Sequence, residues 1–361
     1  MFLSGSVTIA LDVMGGDHGP SAVIPGAALA LKDRPDLKFI LVGDEKLIAP
    51  LLERYPSLKP VSTILHTDKA VLSDDKPAQA LRNGRDSSMR LAINAVNDGR
   101  AQCIVSGGNT GALMAMAKMV LKCLPGIQRP AIASVFPTRR GETTVLDLGA
   151  NLECDAEMLV QFAVLGSVYS RVVRGKDVPT VGILNVGSED MKGHEELRNA
   201  AAILQQVKFP GTYYGFVEGN DIPAGTVDVI VTDGFTGNVA LKVAEGVGKL
   251  TSHMLKDALK SSPLSIIGAA LAYGALKTAK KRMDPRLYNG GMFLGLNGVC
   301  VKSHGSMDEV GIGNAIKVAA DMVSSSFNSR VAQEIQQVMS QESFVTPSAL
   351  PDAVPDTLKA S

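Results

Sequence analysis

The chain has 361 residues, of which 45% are hydrophobic and 20% charged, a composition typical of a soluble globular protein with a sizeable core. Lysine plus arginine and aspartate plus glutamate both number 36, and this balance argues against a general nucleic-acid binder. We expect neither a signal peptide nor a membrane-spanning helix. The four cysteines have no metal-ligand spacing, which predicts buried free thiols and a cytoplasmic location.

Short β-rich runs alternate with helical patterns along most of the chain. The predicted strands are VTIALD, KFILVG, VSTIL, QCIVSG, AIASVF, TTVLDL, TVGILNV, TYYGFV and VDVIVTD. Helical stretches such as SSMRLAINAVNDGR and TGALMAMAKMVLKCL separate most of them. This alternation is typical of a mostly parallel sheet with helices on both faces. We expect one α/β/α domain over residues 1–340 and a disordered Pro/Ser/Ala-rich tail over 341–361.

Residues 238–283 interrupt this alternation and predict a helical hairpin. The motif SSP at 261–263 separates two helices, with Ser262 as the N-cap and Pro263 in the first turn of the second. The second helix is apolar nearly all round and is followed by a basic cluster. The candidate contact residues are Leu264, Ile266, Ile267, Leu271, Lys277, Lys280, Lys281 and Arg282. The hairpin is either buried or projects to touch a membrane surface or a partner.

Six polar, mostly glycine-rich stretches lie mostly at strand ends, where open α/β sheets bind ligands. The first, after a strand ending in Asp12, contains Gly15, Gly16, Asp17 and His18. The second precedes a helix and contains Gly108, Asn109, Thr110 and Gly111. Glycine allows a ligand to approach the backbone, and the free N–H groups of a helix start attract anions.

The other four stretches follow the same logic. DLGANLEC holds Asp147, Gly149, Asn151 and Cys154; NVGSEDMKGHEE holds Glu189, Lys192, Gly193 and His194; TDGFTGNVALK holds Asp233, Gly234, Thr236, Gly237, Asn238 and Lys242; GLNGVCVKSHG holds Asn297, Lys302, His304 and Gly305. Together they predict one polar cleft that holds an anion and stabilises developing negative charge. No GxGxxG turn, Walker A loop, GxSxG elbow or HExxH helix accompanies them.

Several of these motifs match one known family. IALDVMGGDHGP, SGGNTGALMA, DLGAN, GFVEGNDI, TDGFTGNVALK and NGV…HG strongly resemble the bacterial phosphate acyltransferases of phospholipid synthesis, from about Thr8 to about Ala320. The resemblance implies a three-layer α/β/α sandwich like those of isopropylmalate dehydrogenase and phosphotransacetylase. It also implies a homodimer that is cytoplasmic and peripherally membrane-associated, with no cofactor or metal.

The activity implied by this resemblance is transfer of a long-chain fatty acyl group from acyl carrier protein to inorganic phosphate. The acyl phosphate then passes to a membrane glycerol-3-phosphate acyltransferase. The resemblance favours the projecting hairpin, whose apolar and basic residues would contact lipid or the acidic carrier protein.

A hypothesis for the roles of the loop residues follows from the resemblance. Phosphate is itself the nucleophile; Asn109 or Asn238 would stabilise the oxyanion, Lys192 or Lys242 would offset phosphate charge, and His18, His194 or His304 would protonate the leaving thiolate. The catalytic candidates are Asn109, Lys192, His194, Asp233 and Asn238. The substrate-binding candidates are Asp12, Gly15, Gly16, Asp17, His18, Gly108, Thr110, Gly111, Asn151, Gly234, Thr236, Gly237, Lys242 and His304.

Three other functions compete with this hypothesis. A dehydrogenase of the isopropylmalate type would need nicotinamide binding and an acidic metal cluster, which the motifs do not provide. A short-chain phosphotransacetylase would use acetyl-CoA. A non-catalytic membrane-associated scaffold for lipid enzymes would explain the hairpin but leave the six polar loops without a use.

Overall fold

The computed structural model of the chain describes residues 5–282 and 284–341. The predicted tail therefore lies outside the described residues except for Gln341, and so does position 283 of the hairpin. The strands are β1 Val7–Asp12, β2 Leu37–Gly43, β3 Ser62–His66, β4 Cys103–Ser106, β5 Ala131–Thr138, β6 Gly141–Leu146, β7 Thr180–Leu184, β8 Thr212–Val217, β9 Val229–Val231, β10 Gly291–Leu294 and β11 Val299–Lys302.

These strands form one eleven-stranded sheet in the order β3-β2-β1-β4-β11-β10-β5-β6-β9-β7-β8. Every neighbouring pair is parallel except β11–β10, β10–β5 and β5–β6. Because three antiparallel pairs lie between the two parallel groups, β6 to β9 run opposite to β1, β4 and β11. The carboxyl ends of the two groups therefore point to opposite edges of the sheet.

Helices cover both faces of the sheet. They are α1 Pro20–Asp33, α2 Glu45–Arg54, α3 Pro77–Asn83, α4 Ser88–Asn97, α5 Thr110–Leu121, α6 Ala156–Val172, α7 Glu195–Gln206, α8 Asp221–Ala224, α9 Gly234–Lys260, α10 Pro263–Leu271, α11 Tyr273–Arg282, α12 Glu309–Ser324 and α13 Phe327–Met339. Two short 3₁₀ helices span Pro56–Val61 and Pro285–Tyr288. The predicted mostly parallel sheet with helices on both faces is confirmed.

Strand alternation divides the core into two layers. Ile9 and Leu11 of β1 pack with the helices α1, α6, α7, α12 and α13 on one face. Ala10, between them, packs on the other face with α4 and α5, where Ala240 and Leu241 of α9 also contact the core. Strands covered on both faces must be apolar at consecutive positions, which is why VTIALD and CIVS lack a polar alternation.

Helices α9 to α11 correspond to the predicted hairpin, and their apolar side chains are largely exposed. Val247 and Met254 of α9 are 56% and 62% exposed, and Leu271 of α10 is 85% exposed. No side chain of α10 is buried, so the buried-hairpin alternative is wrong for the single chain. Ser262 accepts a hydrogen bond from the backbone N–H of Ser265, as its predicted N-cap role requires.

The structure corrects the predicted elements in four places. Helix α9 begins at Gly234 rather than Asn238, because the Asp233 carboxylate caps it. The second hairpin helix is divided at Ala272 into α10 and α11. Strand β6 ends at Leu146, which places Asp147 in the following turn. The four-residue strands β10 and β11 were absent from the prediction, since GMFL and VCVK are short and lie among glycines.

Candidate active site

A row of three polar residues ends three adjacent parallel strands. Asp12 of β1 pairs in register with Ser106 of β4, and Ser106 pairs with Lys302 of β11. The buried Asp12 carboxylate accepts hydrogen bonds from the hydroxyls of Ser106 and Ser88, each at 2.6 Å. Ser106 Oγ in turn accepts the backbone N–H of Gly108 at 3.1 Å. The row therefore fixes the start of the second predicted loop to the end of β1.

Glycines bring three loops into contact above this row. The backbone N–H of Asp17 donates to the carbonyl of Gly305 at 2.8 Å. A Cβ on Gly15 would lie 2.8 Å from the backbone nitrogen of Gly108, and Gly16 has a φ of +92° that side chains rarely adopt. Larger residues would separate the loops, which explains why the chain follows β1 with two glycines.

Asn109 fixes the start of α5. Its Oδ1 accepts the N–H of Ala112 at 3.0 Å, and its Nδ2 donates to the carbonyls of Ser73 and Asp75 at 3.0 and 2.9 Å. The N-terminal N–H groups of α5, including the exposed first turn at Thr110 and Gly111, form a positively polarised end beside the glycine loops. The arrangement suits an anion, while the Asn109 side chain is itself occupied by structural hydrogen bonds.

Replacing Asn109 with alanine is expected to lower the free energy of unfolding by about 1–2 kcal/mol, because the N-cap bond and the link to the 73–75 segment are lost together. Urea unfolding monitored by circular dichroism measures this change. Ser262→Ala removes the cap of the exposed helix α10 and should lower the free energy of unfolding much less. Equal effects of the two variants would contradict the anchoring role of Asn109.

Burial sets the protonation of the groups in this site. It raises the pKa of Asp12 above its usual value, although the Ser106 and Ser88 hydrogen bonds and the charge of Lys302 act in the opposite direction. Burial also lowers the pKa of Lys302 to about 8, although the charges of the nearby carboxylates act to raise it. Partial burial also lowers the pKa of His304, so this ring is largely neutral at pH 7.

A second cluster lies at the carboxyl ends of β6 and β9. The buried Asp147 carboxylate accepts backbone N–H groups from Ile132 at 2.9 Å, Ala150 at 3.0 Å and Asn151 at 2.7 Å. It also accepts the Asn151 side-chain amide at 2.9 Å. The backbone N–H of Gly234 donates to the carbonyl of Asn151 at 2.7 Å. This network fixes the first turn of α9 to the loop that follows β6.

The predicted residues of the TDGFTGN motif lie in this second cluster. Asp233 accepts both the N–H and the hydroxyl of Thr236 at 2.8 Å, so its carboxylate is occupied as the N-cap of α9. Gly237 packs against the backbone of Asp147, and the exposed Asn238 lies beside Gly149.

Lys192 and His194 precede α7, also at this edge of the sheet. The carbonyl of Lys192 accepts the Asn185 side-chain amide at 3.0 Å, and the Lys192 and His194 side chains are both exposed. The first turn of α7 is connected to the start of α6, where the N–H of Ala156 donates to the Glu196 carboxylate at 2.9 Å.

Helix α9 connects the two clusters. It starts beside Asp147 and runs back across the sheet, so that the charges of Lys242 and Glu245 act on His304. Lys242 Nζ lies 3.0 Å from Glu245 Oε2. The first, second and sixth loops thus meet at the ends of β1, β4 and β11, and α9 brings Lys242 to them. The loops that follow β6, β7 and β9 lie at the carboxyl ends of strands that run in the opposite direction, and α9 links them to the first group.

Three contributors to the first group were not among the candidate site residues. Ser88 and Ser106 were missed because nothing in their local sequence marks a hydroxyl that binds a carboxylate 76 or 94 residues away. Lys302 was noted in its loop but not selected. Its place at the end of a strand beside a glycine turn was a usable indication, had β11 been predicted. His18 and Asp17 are exposed at the rim of the same group.

Comparison with known proteins is consistent with this architecture. The family model described as "Fatty acid synthesis protein" matches residues 7–330. The phosphate acyltransferase of Rhodospirillum centenum is 60% identical over 336 residues, covering 93% of this chain and 95% of that protein. The phosphate acyltransferase of Paramagnetospirillum magneticum is 52% identical over 348 residues, covering 96% and 99%.

Solved structures share the fold at much lower identity. The EutD phosphotransacetylase from Staphylococcus aureus superposes with a TM-score of 0.57 at 17% identity, covering 88% of this chain and 94% of that one. A phosphotransacetylase from Streptococcus pyogenes gives 0.57 at 16% identity, covering 93% and 96%. The sequence matches extend through both clusters and the hairpin. The chain therefore belongs to the phosphate acyltransferase family and is an acyltransferase.

Proposed function

We propose that the chain transfers a long-chain fatty acyl group from acyl carrier protein to inorganic phosphate, giving acyl phosphate for phospholipid synthesis. The observation that carries this proposal is the first cluster, where three glycine loops, the N-terminus of α5 and cationic side chains meet at one edge of the sheet. Membership of the phosphate acyltransferase family supports it as well. Backbone N–H groups and a cation are the groups that bind phosphate and stabilise an oxyanion.

The proposed reaction needs no covalent enzyme intermediate. A phosphate oxygen attacks the thioester carbonyl, a C–O bond forms, and the negative charge moves to the carbonyl oxygen. The tetrahedral intermediate then collapses, the C–S bond breaks, and the thiolate leaves and takes a proton. Holding phosphate and thioester together contributes most of the rate increase, since the nucleophile is already charged. His304 is largely neutral at pH 7, and because its Nδ1 accepts the backbone N–H of Ser306 at 3.3 Å, its Nε2–H can donate a hydrogen bond to the departing thiolate.

The long-chain donor and the membrane location are further parts of the proposal. Leu264, Ile267 and Leu271 expose a large apolar area on α10, and Lys277 of α11 follows them. None of the helices in the described ranges is long and apolar enough to cross a membrane. An exposed apolar helix near basic residues suits peripheral contact with an anionic lipid surface or with the acidic carrier protein. A homodimer, and transfer of the product to a membrane glycerol-3-phosphate acyltransferase, complete the proposal.

The test is release of free thiol from palmitoyl-acyl carrier protein, with and without inorganic phosphate, together with hydroxylamine trapping of the product. We expect phosphate-dependent thiol release and one palmitoyl hydroxamate per thiol. Enzyme without donor corrects for the four cysteines of the chain, and sulfate replaces phosphate as the anion control.

Three outcomes would replace the proposal. Faster turnover of acetyl-CoA than of palmitoyl-acyl carrier protein would make the chain a short-chain phosphotransacetylase. Turnover of palmitoyl-CoA alone would change the donor. Vesicle binding without any phosphate-dependent thiol release, in folded protein, would favour the scaffold function.

A further inference from the structure

We propose that Lys302 binds the attacking phosphate and neutralises its charge, a role that rests on the proposed acyl transfer. Lys302 is the last residue of β11, in register with Ser106, at the point where the three glycine loops meet. Its Nζ donates to the carbonyl of Gly107 at 3.2 Å and to that of Ser303. One carbonyl belongs to the second loop and the other to the His304 turn, so the ammonium lies between the two.

The hydrogen-bonding capacity of Lys302 leaves room for a ligand. An ammonium carries three N–H donors, and the two carbonyls use two of them. No carboxylate forms an ion pair with Lys302 within the ranges 5–282 and 284–341. Carbonyl oxygens orient the ammonium without cancelling its net charge. The third N–H and the positive charge therefore remain for an anion brought to the N-terminus of α5.

The two lysines first selected for this role are less suited to it. Lys242 already forms an ion pair with Glu245, and its side chain is exposed. Lys192 is exposed and lies in the group of loops at the other edge of the sheet. A charge that is partly buried interacts more strongly with phosphate than an exposed one does, because solvent screens it less.

The surroundings of Lys302 predict a pH dependence. Burial lowers its pKa to about 8, while the charges of Asp12 on β1 and Asp17 in the first loop raise it and that of Lys242 on α9 lowers it; the Cys300 thiol on β11 stays neutral because burial raises its own pKa. Lysine is charged below its pKa. The kcat/KM for phosphate, which reports the free enzyme, should therefore fall as pH rises above about 8.

The experiment compares wild type, Lys302→Met and Lys302→Arg, with Lys118→Met as the control for loss of an exposed lysine on α5. Calorimetric titration with inorganic phosphate, in the absence of acyl donor, measures binding. Steady-state kinetics measures KM for phosphate and for palmitoyl-acyl carrier protein, from pH 6.5 to 10. Thermal unfolding establishes that each variant is folded.

We expect Lys302→Met to lose kcat/KM for phosphate by about 100-fold while KM for the acyl donor is unchanged. Its phosphate binding should fall to a similar degree, and Lys118→Met should match wild type. Lys302→Arg should keep most of the activity and lose the fall above pH 8, because arginine stays charged throughout that range. If Lys302 were only structural, the fall in kcat/KM above pH 8 would be the same in Lys302→Arg as in wild type.

Three results would overturn the role of Lys302. The first is wild-type phosphate affinity in Lys302→Met, and the second is a rise in its KM for the acyl donor rather than for phosphate. The third is a fall in kcat/KM above pH 8 that is unchanged in Lys302→Arg. The last comparison decides the matter if Lys302→Met does not fold. If wild type binds phosphate but transfers no acyl group, the proposed function is wrong. The calorimetric comparison of wild type with Lys302→Met still tests whether Lys302 binds phosphate.

Discussion

Gly237→Ala is expected to destabilise the protein by about 3–5 kcal/mol, the largest single-residue effect that we predict for its stability. A Cβ at this position would overlap the backbone carbonyl oxygen of Asp147. Asp147 cannot move aside, because its carboxylate is held by backbone N–H groups of Ile132, Ala150 and Asn151. The first turn of α9 must therefore shift away from the loop after β6.

Urea unfolding of Gly237→Ala against wild type measures this loss, and Gly246→Ala in the same helix is the matched control. A Cβ at Gly246 meets no atom within 4 Å. Alanine also favours helix over glycine, so the control should gain about 0.5–1 kcal/mol. A higher free energy of unfolding in both variants would show that helix propensity, not contact with Asp147, governs this part of α9.

Replacing Leu264, Ile267 and Leu271 together with serine is expected to weaken binding to anionic vesicles by about 100-fold or more. The three side chains are 81%, 59% and 85% exposed, so they lose little on folding but could bury much of their area in lipid. Cosedimentation with vesicles of phosphatidylglycerol and phosphatidylethanolamine measures the partition coefficient. The midpoint of thermal unfolding should change little, because none of the three is part of the core.

The matched control replaces Leu47, Met119 and Val178 with serine. These residues are 48%, 47% and 66% exposed and belong to none of the hairpin helices. This triple variant should sediment with vesicles as wild type does. Unchanged sedimentation of the α10 variant would reject lipid contact through α10. An equal loss in both triple variants would mean that general surface hydrophobicity, not α10, drives the binding.

The layered fold was predictable because its signals are local. Consecutive apolar residues in VTIALD and AIASVF are typical of strands covered on both faces, and the intervening helical patterns provide the cover. The predicted cap was local too, because Ser262 accepts the N–H of a residue three positions further on; Asn109 caps α5 in the same way, although it was selected for the oxyanion instead. The family motifs could also be recognised in the sequence, and the 60% identity to a phosphate acyltransferase agrees with them.

The geometry of the candidate site was only partly predictable. The glycine turns and Asp12 were identified, but the sequence pattern did not distinguish the loops at one edge of the sheet from those at the other. The three antiparallel pairs β11–β10, β10–β5 and β5–β6 together reverse the strand direction between β11 and β6, and this sends the loop of Asp147 to the other edge from Lys302. The short connection PTRRGE indicates the β5–β6 hairpin, because a parallel crossover needs a dozen or more residues, but no local pattern predicts that β10 pairs between β11 and β5.

The sequence by itself therefore determined the kind of fold, the family, the positions where backbone must pass close to backbone, and the apolar hairpin. These properties depend on residues within one or two turns of each other. Only the tertiary structure decided that Lys302 stands beside Ser106, nearly 200 positions earlier, and that Asp12 binds Ser88. Such contacts depend on strand order and direction, which are set by packing among distant segments rather than by any one of them.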